Sequence, residues 1–167
     1  ASDVYKRQSK ETGGSLFDKL SGVGAALLVK TLDELEKGTV KPVKQNETEA
    51  THVKMLDKSF GNIDFSMEAA RIERLIRGLN PWPSAFTHFN GKLLKIWDAD
   101  VCDDVVCESG ESVVNGMITQ VDNNSFIVKC GDNSLKINEL QLEGKKRMKT
   151  QDFLRGNHIN TGDILGK

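Results

Sequence analysis

Apolar positions along the chain change their spacing near residue 86. Before that point, Leu16, Leu20, Val23, Leu27, Leu28, Leu32 and Leu35 recur at three- and four-residue steps, the repeat of one face of a helix. The spacing predicts a helix over 15–36, opened by a capping box of Ser15 and Asp18 and stopped by Lys37, Gly38 and Pro42. Gly22 and Gly24 lower the helix propensity of its middle. On its own this helix has no core to lie on, and it is expected to expose Leu20, Leu27 and Leu32.

Residues 41–62 are polar and weakly periodic, which predicts a linker with one short helical turn around 52–58. A second helix is predicted over 66–79, capped by Ser66 with Glu68 in its first turn. Ala70, Leu75, Ile76 and Leu79 line one side of it. Glu68, Arg71, Glu73, Arg74 and Arg77 crowd the other and read as a solvated face. Asn80, Pro81, Trp82 and Pro83 then make a stiff elbow, because the residue before a proline is steered out of the helical region.

Beyond the elbow the period moves towards two. KLLKIWDADV (92–101), SVVNGMITQV (112–121), SFIVKC (125–130) and SLKINELQL (134–142) are strand-like, and the clusters FNGK, ESGES, DNNS and GDNS punctuate them. In SLKINELQL the inward and outward positions exchange near the end. Short strands at this spacing suggest a small antiparallel sandwich or barrel, and a five-stranded barrel of the oligonucleotide-binding (OB) type fits the length. A short helix over 150–155 closes the pattern.

With 38% hydrophobic and 28% charged residues the chain is a foldable protein, and no apolar run is long enough to span a membrane as a helix. Three cysteines, Cys102, Cys107 and Cys130, lack Cys-x-x-Cys spacing, so a reduced, cytoplasmic protein without a zinc knuckle is expected. His52, His88 and His158 fall on the linker, a turn and the tail, beside no nucleophile and in no ligand-spaced cluster. ETGGS has no strand before it and does not read as a phosphate loop.

Net charge is −1, so an anion-binding surface has to be local. Between Lys95 and Lys129 there is no Lys or Arg, whereas Asp98, Asp100, Asp103, Asp104, Glu108, Glu111 and Asp122 lie there. GKKRMK, in contrast, gathers Lys145, Lys146, Arg147 and Lys149 just after the last long strand. A phosphate backbone is repelled by the first surface and attracted to the second. Charge alone leaves two readings of that loop, ordinary solubilising surface or one working side of a binding module.

Several motifs converge on one family. IRGLNPWPSAF followed by KLLKIWDADV resembles the junction of methionyl-tRNA formyltransferases, where a helix runs into an Asn-Pro-Trp-Pro corner and then the barrel. GGSLFDKLSGVGAALLVKTLDELEKGTVKPVKQNE resembles the closing helix of their catalytic domain, ATHVKMLDKSFGNIDFSMEA their interdomain linker, and LQLEGKKRMKTQDFLRGNHINTGDILG their C-terminal end. Folate-dependent sugar-nucleotide formyltransferases and formyltetrahydrofolate dehydrogenase share the elbow; the GKKRM loop and the short tail favour the tRNA enzyme. A stand-alone OB-type nucleic-acid-binding module is the alternative from another class.

The resemblance implies a mixed α/β organisation. Residues 1–11, polar and leading into nothing periodic, are expected to be a non-native or disordered leader. Residues 12–45 carry the last helix of a truncated Rossmann-like formyltransferase domain, 46–62 the linker, and 63–167 a leading helix and an OB-like barrel. It implies a parent enzyme, monomeric and cytoplasmic, that formylates methionyl-initiator tRNA from 10-formyltetrahydrofolate in translation initiation. The catalytic residues of that family lie upstream of the matching region, so none is carried over, and this chain alone is expected to be inactive. Lys145, Lys146, Arg147 and Lys149 are then expected to contact tRNA phosphates, with Lys54 and Lys58 extending the track. Trp82 is expected to wedge between helix and barrel while the prolines set the angle of the basic loop.

Overall fold

The computed structural model describes residues 8–104 and 113–166. Helix α1 (Gly13–Glu36) leads into an irregular linker and a 3-10 turn (Lys58–Gly61). Helix α2 (Ala69–Gly78) and the elbow follow, then strands β1 (Ala85–Phe89), β2 (Lys92–Cys102), β3 (Ile118–Val121), β4 (Phe126–Lys129), β5 (Ser134–Leu142) and β6 (Met148–Lys149), and helix α3 (Thr150–Leu154).

The first helix starts earlier than its sequence pattern indicates. Thr12, not Ser15, is the N-cap: its hydroxyl accepts from the Ser15 amide at 3.1 Å, and the Ser15 hydroxyl accepts from the Thr12 amide at 3.0 Å. A hydroxyl at the third helical position thus takes the role usually given to Glu or Gln. No residue of α1 is buried, and Leu20 and Leu32 are exposed while Leu27 is half-buried. Among the described residues, the contacts that hold it to the rest of the fold lie at its root. The Gly14 amide donates to the Asn80 carbonyl at 2.8 Å, and a Cβ on Gly13 would lie 2.3 Å from the Gly78 carbonyl oxygen. The buried carboxylate of Glu11 accepts from Lys19 at 2.7 Å, and the Glu11 carbonyl accepts from Arg77 at 2.9 Å.

Helix α2 is shorter than predicted, and Ser66 does not cap it. Glu68 occupies the N-cap position without a side-chain bond, and the Ala69 amide donates instead to Asp132 Oδ1 at 2.8 Å, from the turn before β5. Ser66 is engaged by Asp64, whose carboxylate accepts from its amide at 2.9 Å. The helical turn of the linker sits later than its predicted place around 52–58, because Asp57 accepts from the Ser59 amide at 2.7 Å and opens the turn there.

Six antiparallel strands form one sheet in the order β1-β2-β5-β4-β3, with β6 added along β5. Strand β1, unrecognised from its sequence, is tied to β2 by the two-residue loop Asn90–Gly91, both at positive φ, which is the geometry a tight hairpin demands. The predicted strand over 112–121 contracts to Ile118–Val121, since a turn brings the Met117 amide to the Val114 carbonyl and Gly116 has φ +85°; residue 112 lies outside the described residues. Strand β5 coincides with SLKINELQL. Its change of facing is matched by a register shift opposite, between Ile96 and Ala99, so that Leu135, Ile137, Leu140 and Leu142 all point inward.

The sheet is not a closed barrel. Among the described residues, β1 and β3 do not pair with each other. Their outer edges are occupied by other segments: Ile63 donates to the Phe86 carbonyl at 2.8 Å, and the tail runs between the two edges. Ile118 donates to Asp163, Leu165 to Gly116 and Gly166 to His88, at 2.8, 2.9 and 2.8 Å. The tail thereby satisfies edge groups that strand closure would otherwise satisfy. Inside lie Ile72 and Ile76 of α2, Leu94, Ile96, Phe126, Val128, Leu135, Ile137 and Leu140 of the sheet, and Phe153 of α3.

Candidate functional site

The basic loop is built by the end of β5. After Leu142 the chain turns through Gly144 (φ +74°), with the Lys145 amide donating to the Leu142 carbonyl at 2.9 Å, and comes back as β6 beside Glu139 and Leu140. The Glu143 amide donates to the Leu93 carbonyl at 2.8 Å, and Gln141 Nε2 donates to the Lys145 carbonyl at 2.9 Å. A loop bonded on both flanks holds its side chains outward: Lys145, Lys146, Arg147 and Lys149 are all exposed.

The four cations are not equivalent. Among the described residues, Lys145, Lys146 and Lys149 form no ion pair. Arg147 is engaged: its guanidinium bonds the Glu139 carboxylate and lies 4.8 Å from the Trp97 ring centroid. Lys95 Nζ stands 5.7 Å from the same ring. Arg147 therefore pins the loop to the outer face of β2 and β5, which sequence spacing does not distinguish from phosphate binding. Nor does spacing single out Trp97, since a tryptophan in a strand reads as core.

Of the linker lysines, Lys54 lies in irregular exposed chain, whereas Lys58 starts the 3-10 turn seated against β1. The arginines of α2 also separate. Arg77 is largely buried, bonding Glu73 at 2.9 Å and the Glu11 carbonyl, while Arg71 and Arg74 are exposed and unpaired among the described residues.

At the elbow, Trp82 is 60% exposed and does not wedge between helix and sheet. Pro83 and Ser84 are the buried members, and Ser84 (φ +72°) donates its amide to the Leu79 carbonyl at 2.9 Å. Both Asn80–Pro81 and Trp82–Pro83 are cis. Asn80 links three elements: its carbonyl holds the root of α1 and its side chain donates to the Trp97 carbonyl at 3.2 Å. Trp82, Pro81, Phe17 and Leu56 line an open groove of about 610 Å³ beside α1.

The acidic stretch is partly neutralised. Lys10 pairs with Asp100 and Lys129 with Asp104, and these bonds hold both carboxyls below the usual carboxylate range. Asn138 donates to Asp98 and Asp100 at 3.1 and 2.8 Å. Glu108 and Glu111 lie outside the described residues. Burial pushes the Cys130 thiol up to about 12. Among the described residues no cluster of three metal-ligating side chains occurs, and no histidine hydrogen-bonds a carboxylate or nucleophile.

The chain belongs to the formyl transferase C-terminal domain family, which matches residues 55–158. It is similar to the methionyl-tRNA formyltransferases of Lachnospira eligens, 59% identical over 165 residues, and Agathobacter rectalis, 50% identical over 165 residues. That of Halothermothrix orenii is 41% identical over 168 residues. The alignments take in 99%, 99% and 98% of this chain and 52%, 52% and 53% of those proteins. The chain thus spans about half the length of the curated relatives it matches. Among solved structures, a variant of HypX from Aquifex aeolicus superposes with a TM-score of 0.59 at 15% identity, covering 98% of this chain and 34% of that one. HypX in complex with tetrahydrofolic acid gives 0.51 at 14% identity, covering 82% and 26%. These likenesses concern the fold.

Proposed function

We propose that the chain is the C-terminal part of a methionyl-tRNA formyltransferase and supplies part of its grip on initiator methionyl-tRNA. The observation that carries this reading is the loop of unpaired, outward lysines, Lys145, Lys146 and Lys149, at the end of β5. Phosphate contacts of this kind give affinity and register, not base identity. Arg147 supports the loop from below, and Lys54 and Lys58 continue the positive surface along the linker.

The formyl donor of the longer protein is taken to be 10-formyltetrahydrofolate, and the transfer is assigned to residues outside this chain. The exposed apolar side of α1, with Phe17, Leu28, Val29 and Leu32 in water, is read as the part of the catalytic domain that packs onto the rest of it. We read the open sheet as a variant of the OB-like arrangement, with the tail in place of barrel closure.

The test is binding of initiator tRNA across a salt series, beside a variant with Lys145, Lys146 and Lys149 changed to Ala. Each phosphate that the variant no longer neutralises lowers the slope of log K against log salt by about 0.7–0.9, so the triple variant loses about 2–3 in slope. Equal slopes for the two proteins refute the assignment. Arg147→Ala is expected to weaken binding with a smaller change of slope, through loosening of the loop.

A further inference from the structure

The arginines that α2 leaves unpaired do not face open solvent alone. Phe60 of the 3-10 turn, Asn62, Met67 and Leu75 combine with Arg71 and Arg74 into a groove of about 370 Å³. Arg71 and Arg74 are three residues apart, hence neighbours on one side of the helix. Among the described residues, the only charges on the lining are these two guanidinium groups. Phe60 is 46% exposed although its turn is fixed: Asp57 caps the start, and Gly61 packs against Ser84. Lys58 is exposed two positions earlier in the same turn.

We propose that this groove is a second RNA subsite, which takes one unstacked nucleobase on the Phe60 ring and the adjoining phosphates on Arg71 and Arg74. The inference rests on the reading of the chain as a tRNA-binding module and adds a site to it. Size and chemistry favour this occupant. A cleft of this volume lies in the range that accepts a small planar group. An aromatic face accepts any base, and the planar guanidinium forks match phosphate oxygens in pairs. Lys58 carries the positive potential from the groove onto the linker. Met67 and Leu75 supply apolar walls for the base, which a purely electrostatic phosphate track does not need.

The experiment measures affinity of the whole chain for three probes across a salt series: initiator tRNA, a uridine dodecamer, and an abasic dodecamer with the same phosphates. Phe60→Ala is expected to weaken the uridine dodecamer about tenfold and leave the abasic one unchanged, while Phe60→Tyr restores binding. Arg71→Gln with Arg74→Gln is expected to weaken both oligomers and lower the salt slope by about 1.4, two single-strand phosphates' worth. All three side chains are exposed, so melting curves should match the parent protein, which separates binding from folding. Equal losses on the two dodecamers upon Phe60→Ala overturn the stacking assignment, and unchanged slopes in the arginine variant overturn the phosphate assignment. Competition by polyglutamate as strong as that by the uridine dodecamer also overturns it, in favour of an acidic polypeptide. If the triple lysine variant loses tRNA while the groove variants do not, this inference fails and the tRNA reading stands. If neither set of variants changes binding, both fail.

Discussion

Gly61→Ala offers a test of how the linker is seated, with a size that follows from the geometry. Gly61 is buried at the end of the 3-10 turn, where an added Cβ would sit 2.1 Å from the Ser84 carbonyl oxygen and 3.2 Å from Phe86 Cδ1. Ordinary contact begins at 3.4 Å, so the linker has to retreat by about 1.3 Å from a backbone atom (3.4 minus 2.1). Ser84 cannot yield cheaply, because it is buried at positive φ inside the elbow. The retreat strains the 2.8 Å bond from the Ile63 amide to the Phe86 carbonyl and loosens Ile63 and Phe65 in the core. Overpacking of this kind costs about 1–3 kcal/mol, and a weakened hydrogen bond adds about 0.5–1.5 kcal/mol, for a total of about 1.5–4.5 kcal/mol. For a cooperative unit near 100 residues that corresponds to a fall in Tm of at least about 6 °C. Gly78→Ala is the control: nothing lies within 4 Å of its added Cβ, and it should be neutral or stabilising by up to about 1 kcal/mol. Calorimetry of the two variants decides the matter. A Gly61→Ala melt superposable on the parent's refutes the seating of the linker against Ser84.

Three further outcomes are expected. Gly22→Ala with Gly24→Ala should slow amide hydrogen exchange within α1 without moving the main melting transition, since both positions are open on a helix with no buried residue; a raised main transition would show that α1 is part of the core. The Cys130 thiol should resist alkylation at pH 8–9 in the folded protein and react on unfolding. Its folded pKa, raised to about 12, lies above the unfolded value, so stability is complete below the unfolded pKa and is lost as pH rises from there through the folded one; a midpoint of urea unfolding that stays level across this window would contradict it. Asp100 and Asp104, held low mainly by bonds to Lys10 and Lys129, behave in the opposite sense. Their contribution is present above the unfolded carboxylate pKa and disappears as pH falls through the lower folded values, so changing both to Asn should flatten the acid limb of the stability curve below about pH 4.

Whatever depends on neighbours in sequence is legible in the sequence alone. The Leu and Val spacing of α1 marks a helix because residues three and four apart share a face. SLKINELQL marks β5, its change of facing included, because a strand repeats every two. The elbow is legible as well, since proline restricts the chain whatever surrounds it. AFTHF escapes recognition although FNGK marks the turn after it: the inward positions of β1 are Ala85, Thr87 and Phe89, and two of these three carry little hydrophobic signal.

The choices of partner were decided elsewhere, by segments far apart in sequence. Asp132 caps α2 in place of Ser66, because the turn before β5 brings a carboxylate to the Ala69 amide. Arg147 is engaged while Lys145, Lys146 and Lys149 form no ion pair among the described residues, because β2 places Trp97 and β5 places Glu139 beneath it. Trp82 faces water while Pro83 and Ser84 take the buried places, and the tail runs along sheet edges that strand pairing alone would have left open. Local periodicity thus determined the long helix and the long strands, though not β1 or β6, and where positive charge gathers. Which cations stay free, which aromatic ring meets solvent and how the sheet ends are satisfied follow from long-range packing, where a side chain's role depends on atoms that its own neighbours in sequence do not supply.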